Sequence, residues 1–492
     1  MFRTAMRLVA AGGIVAAAAA WLPLGGALAQ ASGDWPTYLD NEGRAGFNGA
    51  ETAITSSTAP SLTQRWADTA GGGVSAEPVQ VNGVVYYGSW DGYERAADAA
   101  TGTLLWSAYL GQTTDTHCSP PTVGVASTAT VGAITAGGTT TQAVFVGGGD
   151  GNFYALDAST GAVIWKTQLG APPDYFLWSS PLFYNGSIYE GVASFGDCPL
   201  VRSALVQMDA ATGAVQNTLY TVPAGCTGAG VWGSPTADTA TGDIFFGTGN
   251  AGSCGSPEPL AVAVVQADSS LNLLGSWQVP SRQQPNKDSD FGSTPTLFTA
   301  TIGGAVHQMV GLQNKNGIYY AFDRSAVSSG PLWQKRMSAG GACPQCGKAD
   351  ISPSAYDGQH LFVGSEKTTL GGVACAGSIR AGSGFSHTTA SAASQPIHAP
   401  GASSERIAAA ASPSVAVHVM NGTNGGGAPA ASARRNTHPL SSSSATINGV
   451  PAARISPSAT VAPHSLPSAS VHATVNASHA ISADCSPPSS SL

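Results

Sequence analysis

Charged residues are scarce in this sequence, and basic residues are the scarcer kind. Asp, Glu, Lys and Arg make up 10% of the 492 residues, with 28 acidic against 20 basic residues and a formal net charge of −8. A nucleic-acid partner requires a basic surface, so this balance argues against nucleic-acid binding. Glycine and proline are abundant instead, with 62 and 31 residues. This composition favours short strands and tight turns over helices.

Long apolar runs are also rare, and the clearest one lies at the amino terminus. Residues 8–24 are almost all apolar, two arginines precede them, and Ala27-Leu28-Ala29 forms an A-x-A cleavage site. These features predict a secretory signal peptide over residues 1–29 and a secreted or periplasmic mature chain. A transmembrane anchor is the alternative, but Pro23 and two glycines interrupt the run. We therefore expect no stable membrane insertion.

A repeat occupies the middle of the chain. In its first two copies, an apolar run ending in glycine leads to an Asp-Gly turn, a second aspartate followed by Thr-Gly, and a tryptophan. The Asp-to-Trp spacing is eight in both Asp98–Trp106 and Asp157–Trp165. Six such apolar runs end at Gly88, Gly147, Gly191, Gly247, Gly311 and Gly364. A turn with proline precedes each run, at Glu77-Pro78, Ser119-Pro120, Ser180-Pro181, Ser234-Pro235, Thr294-Pro295 and Ser352-Pro353.

Each copy predicts about four short antiparallel strands, because apolar runs of this length form strands and Asp-Gly and Thr-Gly form hairpin turns. One such sheet cannot bury both faces, whereas copies stacked around an axis bury them and leave only short edges. The copies are too long for the coils of a β-helix, and a β-sandwich would not repeat one motif six times. We therefore predict an all-β fold over residues 30–381, a β-propeller of four-stranded blades with six recognisable blades, the last one interrupted.

The pattern stops at Ala381, and residues 382–492 have a different composition. They contain six charged residues, one aromatic residue, Phe385, and much Ser, Ala, Pro and Thr. Such a segment buries too little apolar surface to offset its chain entropy, so we predict a disordered low-complexity tail. A natural cell-wall stalk is one explanation. The abrupt change within the sixth copy favours another, a reading-frame shift, and both stay open.

Eight cysteines in an exported chain predict disulfide bonds, although the sequence leaves their connectivity open. Cys343-Pro344-Gln345-Cys346 is a C-x-x-C motif, which can carry redox chemistry, half a zinc site or haem. No histidine follows Cys346, which excludes haem attachment there, and the lack of a second C-x-x-C argues against zinc. We predict a structural disulfide between Cys343 and Cys346.

The repeat from Tyr154 to Trp165 resembles the pyrroloquinoline-quinone (PQQ) repeat of quinoprotein alcohol dehydrogenases. The opening segments 34–38 and 44–48 resemble the polyvinyl-alcohol-dehydrogenase-like branch of that family, and the resemblance extends to residue 381. It implies oxidation of an alcohol or polymer with PQQ and calcium, without haem, and transfer of electrons to a separate acceptor. The alternative is a non-catalytic propeller that binds a protein or polymer, since the same repeat builds such proteins.

Five residues match site positions of that family. The resemblance implies that Trp232 forms the floor under the quinone and that Lys315 contacts the quinone oxygens, where a cation stabilises developing negative charge. It implies that Asn250, in Gly247-Thr248-Gly249-Asn250, is a calcium ligand. Asp288 and Asp290 fall where the family carries its acidic pair. One of the two would be the general base, and the other could ligate calcium.

Two departures from the family concern cysteine and glutamate. The adjacent cysteine pair above the quinone is missing, and Cys118 is the residue left at that place, which makes it a candidate cofactor contact. The calcium-binding glutamate of the third blade has no clear counterpart, and Asp197 lies nearest to its position. A site that lacks one carboxylate should bind calcium more weakly.

Overall fold

A computed structural model describes residues 33–365 except 56, 253 and 343–348, together with the backbone of residues 368–370, 373–375, 380–383 and 445–446. The predicted signal peptide, the Cys343–Cys346 motif and nearly all of the predicted tail therefore lie outside the described residues. The described part contains strands and three 3₁₀ turns, at Ala59–Ser61, Ser281–Gln283 and Val327–Ser329. Within it, no helix has the length and apolar character needed to cross a bilayer.

The strands form six consecutive antiparallel sheets, which we number as blades 1 to 6. Blade 1 comprises Val79–Val81, Val84–Gly88, Tyr93–Asp98 and Leu104–Tyr109. Blade 2 comprises Thr130–Ala136, Thr139–Gly147, Asn152–Asp157 and Val163–Gln168. Blade 3 comprises Leu182–Tyr184, Ser187–Ser194, Ala204–Asp209 and Val215–Tyr220, and Tyr175–Phe176 pairs with its second strand.

Blade 4 comprises Thr236–Asp238, Asp243–Gly247, Ala263–Ala267 and Leu273–Gln278. Blade 5 comprises Thr296–Ile302, Ala305–Asn314, Ile318–Asp323 and Trp333–Arg336, and blade 6 comprises Ser354–Tyr356, His360–Val363 and Arg380–Ser383. Three short pairs lie outside the blades: Thr69–Ala70 with Ala445–Thr446, Thr113–Thr114 with Thr122–Val123, and Thr368–Leu370 with Val373–Cys375. The predicted β-propeller of six recognisable blades is confirmed.

Five apolar clusters fill the spaces between consecutive blades. The cluster between blades 1 and 2 contains Tyr86 and Trp106 from one side and Val144 and Leu156 from the other. Equivalent clusters lie between blades 2 and 3, 3 and 4, 4 and 5, and 5 and 6. Burial of each such side chain stabilises the fold by about 1.5–3 kcal/mol. A single sheet leaves these side chains exposed on its faces, and stacking against the neighbouring blade buries them.

The repeat signature joins blade 1 to blade 2 and blade 2 to blade 3. Trp106 Nε1 donates to the Ala158 carbonyl at 2.9 Å, and Trp165 Nε1 donates to the Ala210 carbonyl at 3.0 Å. Each acceptor lies in the Asp-x-x-Thr-Gly turn of the following blade. Gly161 in that turn has φ +72°, and a Cβ there would lie 2.7 Å from the Trp106 ring. The eight-residue Asp-to-Trp spacing therefore places one blade's tryptophan on the next blade's turn.

The turns before the first strands form a hydroxyl ring. The first strands of consecutive blades contact one another and line the axis. Just before them, the N–H of Glu77 donates to Thr128 Oγ1 at 2.7 Å, and the N–H of Thr128 donates to Ser180 Oγ at 3.1 Å. The N–H of Ser180 donates to Ser234 Oγ at 2.9 Å, and that of Ser234 to Thr294 Oγ1 at 3.1 Å. This ring links blades 1 to 5 around the axis.

One predicted turn was wrong. Ser119-Pro120 lies in the loop between Thr113–Thr114 and Thr122–Val123, away from the hydroxyl ring. The blade 2 member of the ring is Thr128-Ala129, directly before the strand Thr130–Ala136. The sequence pattern missed it because alanine replaces the proline, while the threonine hydroxyl keeps the hydrogen bond.

An axial segment, residues 35–46, crosses the first strands of five blades. Its backbone pairs with blade 1 between Trp35 and Gln80, and four of its carbonyls accept hydrogen bonds from other first strands. Those carbonyl pairs are Pro36 with Val131, Glu42 with Ala237, Gly43 with Leu297, and Ala45 with Tyr356, at 2.7–3.0 Å. The segment therefore lies across the axis, just beyond the hydroxyl ring.

Arg44 holds the axial segment to blades 3 and 4. Its side chain is 0% exposed. Nε donates to the Pro235 carbonyl at 3.1 Å, and Nη2 donates to the Pro181 carbonyl at 3.0 Å. Nη1 donates to Thr37 Oγ1 at 2.8 Å and to the Tyr38 carbonyl at 2.6 Å. The guanidinium thus satisfies four acceptors at the axis.

Glu94 is a buried carboxyl at a position that blade 2 fills with phenylalanine. It pairs with Gly88 as Phe153 pairs with Gly147. The side chain is fully buried, and neither carboxyl oxygen has a hydrogen-bond partner among the described residues. Burial raises the pKa of Glu94 well above its ordinary value of 4.5, so the fold holds this carboxyl neutral.

Replacing Glu94 by glutamine is expected to weaken the pH dependence of stability. A carboxyl whose pKa is raised in the fold contributes its full stabilisation below its ordinary pKa, and this contribution is lost as pH rises above about 4.5. Urea denaturation at about pH 5 and about pH 8 measures the change in free energy of unfolding. That change should be smaller in Glu94→Gln than in the parent by about 1 kcal/mol or more. An equal pH dependence in both proteins would mean that Glu94 is ionised in the fold.

Candidate functional site

The candidate site lies where chain segments leave and enter the blades on one face of the propeller. Asp197, Asn250 and Lys315 follow the second strands of blades 3, 4 and 5. Trp232 and the Asp288–Asp290 segment stand just before the first strands of blades 4 and 5. Second strands of neighbouring blades end at the same face, so these side chains come together from distant parts of the sequence.

Lys315 lies at the centre of the site, between two carboxylates. Its ammonium is 2.9 Å from Asp290 Oδ2 and also donates to Asp288 Oδ1. Lys315 and Asp290 are only 6% and 3% exposed, whereas the Asp288 side chain is 33% exposed. Burial lowers the pKa of Lys315, but the charges of Asp290 and Asp288 outweigh burial and leave the pKa raised. The lysine is therefore a fixed positive charge.

The negative charge of Asp290 is only partly balanced by Lys315. Burial raises the pKa of Asp290 to about 7, and the negative charges of Asp288 and Asp197 act in the same direction as burial. Lys315 acts against them without restoring the ordinary value. Carboxylate oxygens of Asp197, Asp288 and Asp290 lie within 4.8 Å of one another. A second cation in this position would stabilise the ionised form of Asp290.

The Asn250 amide faces two of these carboxylates. One of its terminal atoms lies 3.1 Å from Asp290 Oδ1 and 3.0 Å from Asp197 Oδ2. With nitrogen in that place, the amide donates to both carboxylates. With oxygen in that place, three oxygens from three blades converge, which is the donor set that hard cations bind. These residues therefore fit a calcium ion.

Trp232 supplies a flat surface beside the charges. Its ring centroid lies 5.0 Å from Lys315 Nζ. The indole rests against Gly292, where an added Cβ would lie 2.0 Å from the ring. Any larger residue at Gly292 would displace the indole. The half-buried ring is thus held in place next to the ammonium, as a planar ligand would require.

Two family models match parts of this chain. The model described as glucose/ethanol/alcohol dehydrogenase, beta-propeller domain, matches residues 35–181, and the model described as outer membrane protein assembly factor BamB matches residues 122–254. The chain belongs to the PQQ-repeat β-propeller family. The two matches together span residues 35–254, from the axial segment to blade 4.

Relatives of this PQQ-repeat propeller carry names of alcohol-oxidising enzymes. Polyvinylalcohol dehydrogenase of a Sphingopyxis species is 26% identical over 367 residues, which cover 66% of this chain and 53% of the relative. Quinohemoprotein alcohol dehydrogenase ADH IIB of Pseudomonas putida is 28% identical over 296 residues, which cover 51% of this chain and 40% of the relative. The chain spans about half the length of the curated relatives it matches.

A solved structure shares the fold of the propeller. The quinohemoprotein alcohol dehydrogenase ADHIIG of Pseudomonas putida superimposes with a TM-score of 0.57 at 20% identity. The superposition covers 69% of this chain and 58% of that protein. This likeness supports the all-β architecture.

The structure brings together all but one of the residues that the sequence singled out in this PQQ-repeat propeller. Trp232, Asn250, Lys315, Asp288, Asp290 and Asp197 form the cluster described above. Cys118 is paired instead, in a disulfide with Cys198 that lies next to Asp197. A second disulfide joins Cys226 to Cys254.

Sequence reasoning missed two supporting residues. Ser194 Oγ donates to Asp197 Oδ1 at 2.6 Å, and Gly292 makes room for the Trp232 ring. Gly292 follows Asp290 by two residues, so its position next to the predicted acidic pair was a usable signal. Ser194 carries no such signal, because serine is common at strand ends.

Proposed function

We propose that this propeller is an exported quinoprotein dehydrogenase that oxidises an alcohol with PQQ and Ca²⁺. The observation that carries the proposal is the position of Lys315. Its ammonium lies 2.9 Å from the buried Asp290 and 5.0 Å from the Trp232 ring centroid. A fixed cation next to a flat aromatic and an acidic cluster suits an anionic, planar redox cofactor.

Asp290, Asn250 and Asp197 would hold the calcium ion. Oxygen donors are the ligands that Ca²⁺ prefers, and these three side chains come from three different blades. Burial, with the charges of Asp288 and Asp197, raises the pKa of Asp290 despite Lys315, so a bound cation would stabilise the ionised carboxylate. Asp197 would supply the carboxylate for which the sequence showed no glutamate.

Trp232 and Lys315 would hold the quinone. The indole offers a plane for stacking, and Lys315 offers an ammonium to the quinone oxygens. PQQ, when bound, would supply a two-electron acceptor, and a calcium ion held beside it would supply a Lewis acid. The protein's own part is to orient the alcohol, exclude water and receive the hydroxyl proton.

Asp288 is the general base in this proposal. Asp290 has one oxygen at the Asn250 amide and the other at Lys315, so both are engaged. Asp288 has one oxygen at Lys315, and its side chain is 33% exposed. A partly exposed carboxylate next to a buried acidic pair can take a proton from a bound alcohol.

Export and partners complete the proposal. A signal peptide over residues 1–29 would carry the propeller of residues 30–381 out of the cytoplasm, and most of residues 382–492 would form a tail beyond the blade 6 strand Arg380–Ser383. Electrons would leave to a separate acceptor, since neither the C-x-x-C motif nor the site residues supply a haem.

A second candidate function is a non-catalytic propeller that binds a protein or polymer. The match of residues 122–254 to the model described as outer membrane protein assembly factor BamB favours it. The two candidates differ in whether the site holds a cofactor.

Trp232→Ala is expected to lower the affinity for PQQ by about 2- to 13-fold, because it removes the stacking surface. Purified protein is mixed with PQQ and Ca²⁺, and the absorbance of retained quinone is measured after gel filtration at several concentrations. Trp277→Ala, in the outer strand of the same blade, is the matched control and should retain parental affinity. Equal affinity in Trp232→Ala and the parent would remove the tryptophan from the quinone site.

A further inference from the structure

We propose that the Cys118–Cys198 disulfide positions Asp197 for cation binding, so that the affinity of the site for Ca²⁺ depends on the oxidised state of this pair. The inference rests on the proposed function, because it takes Asp197 as a cation ligand. The proposed function names Asp197 as a ligand but does not say what holds its carboxylate in position. Cys198 is the residue directly after Asp197, so the covalent tie acts one residue from the carboxylate.

The loop that carries Asp197 has few other restraints. The second strand of blade 3 ends at Ser194, and the N–H of Phe195 donates to the Asp174 carbonyl at 2.8 Å. The next backbone bond is from the N–H of Gly228 to the Val201 carbonyl at 2.7 Å. Among the described residues, no backbone hydrogen bond to another segment holds residues 196–200. Asp197 itself is exposed, with a left-handed φ of 60°.

The other two ligands are fixed by their backbones. The Asn250 carbonyl accepts from the N–H of Ala229 at 2.6 Å, and the N–H of Gly252 donates to the Thr227 carbonyl at 2.8 Å. The Asp290 carbonyl accepts from the N–H of Lys315 at 2.9 Å. Asp197 has instead a side-chain hydrogen bond from Ser194 and the disulfide at the next residue. Of the three ligands, Asp197 is therefore the one whose position depends on a covalent bond.

Cys118 is a rigid anchor for this bond. It is 7% exposed and packs in a cluster with Val123, Phe176 and Phe195. The N–H of Cys118 donates to the Asp115 carbonyl at 3.2 Å, which fixes its own loop. The disulfide thus joins the loop that carries Asp197 to a residue of a buried apolar cluster, at a sequence separation of 80.

Opening the Cys118–Cys198 disulfide should weaken cation binding although every ligand atom stays in the protein. A free loop must be ordered when the cation binds, and the entropy of that ordering subtracts from the binding free energy. Groups that orient metal ligands typically change metal affinity by about 10- to 100-fold when they are removed. We expect an effect of this size from opening the Cys118–Cys198 bond.

The test measures binding of Ca²⁺ to the full chain without PQQ, by calorimetry or by displacement of luminescent Tb³⁺. The double variant Cys118→Ser with Cys198→Ser should raise the Kd for Ca²⁺ by about 10- to 100-fold. The matched control opens the other disulfide, with Cys226→Ser and Cys254→Ser, and should change Kd by about twofold or less. Asp197→Asn shows in parallel whether Asp197 is a ligand at all.

A second measurement covers the case in which the double variant does not fold. A protein with Cys226, Cys254, Cys343 and Cys346 replaced by serine is treated with a phosphine in water, which reduces the Cys118–Cys198 disulfide to two thiols and takes oxygen from water to become phosphine oxide. Alkylation and mass spectrometry identify the opened pair, and circular dichroism confirms the fold. Kd for Ca²⁺ should rise by about 10- to 100-fold on reduction and return on reoxidation.

The outcomes separate the two proposals. If Asp197→Asn leaves the Kd for Ca²⁺ unchanged, the cation site of the proposed function is wrong. If Asp197→Asn weakens binding but opening Cys118–Cys198 does not, the site stands and the positioning role is wrong. If opening either disulfide raises the Kd for Ca²⁺ equally, the effect comes from general loosening of the loops, and the specific positioning role of Cys118–Cys198 is wrong.

Discussion

Replacing Asp288 by asparagine is expected to lower turnover of an alcohol by about 10²- to 10⁴-fold while the Kd for Ca²⁺ changes little. Asparagine keeps the shape and the contact with Lys315 but cannot accept the hydroxyl proton. The Asp288 carboxylate is the less buried of the acidic pair, and one of its oxygens is bound by Lys315. Initial rates of the reconstituted protein with an artificial electron acceptor give the turnover, and calorimetry gives the Kd.

Asp290→Asn is the matched comparison for that variant. Asp290 lies beside both Asn250 and Lys315, so its loss should raise the Kd for Ca²⁺ and lower turnover together. If the two variants exchange these phenotypes, Asp290 is the base and Asp288 is a ligand. If neither variant changes turnover, the acidic pair has no catalytic role.

Replacing Arg44 by methionine is expected to destabilise the propeller by about 3–5 kcal/mol. The fully buried guanidinium donates to the carbonyls of Pro181, Pro235 and Tyr38 and to Thr37 Oγ1. Methionine fills a similar volume but removes all four hydrogen bonds. Thr130 Oγ1 still bonds Thr37 Oγ1 and donates to the Pro181 carbonyl. The Pro235 and Tyr38 carbonyls lose the Arg44 donor, and each buried unpaired group costs about 1–3 kcal/mol.

Thermal and urea denaturation measure this effect, and Arg282→Met provides the control. Arg282 is an exposed arginine in the 3₁₀ turn Ser281–Gln283, so its loss should change the free energy of unfolding by less than about 0.5 kcal/mol. An Arg44→Met protein as stable as the parent would mean that the axial segment does not need this arginine. Arg44→Lys should remain destabilised, because an ammonium cannot reproduce the planar fork of donors.

The blades could be predicted from the sequence because local chemistry specifies them. The Asp-x-x-Thr-Gly turn needs its glycine, and the tryptophan eight residues after the aspartate reaches the next blade's turn. The contact between consecutive blades therefore shows in the sequence as an eight-residue spacing between aspartate and tryptophan. Trp232, Asn250 and Lys315 were predicted on a different basis, the resemblance of their motifs to the quinoprotein alcohol dehydrogenases.

Other features could not be predicted because they depend on contacts between distant segments. The pairing of Cys118 with Cys198 and the hydrogen bonds of Arg44 follow from how separate blades meet. Ser119-Pro120 was misassigned because it carries the turn signature, whereas the blade 2 turn at Thr128-Ala129 lacks proline. The difference between Asp288 and Asp290 is one of burial and orientation, to which sequence spacing is insensitive.

Reconstitution of the purified parent protein with PQQ tests the central claim most directly. The protein is incubated with excess PQQ, once in the presence of Ca²⁺ and once in the presence of a chelator. Each sample is passed through a gel-filtration column, and the quinone absorbance of the protein fraction is measured. We expect a stoichiometric amount of retained quinone with Ca²⁺ and a large loss with the chelator, because the acidic cluster would hold the calcium ion and Lys315 would hold the quinone next to it. Folded protein that retains no quinone at saturating PQQ and Ca²⁺ would contradict the quinoprotein assignment and leave a non-catalytic propeller.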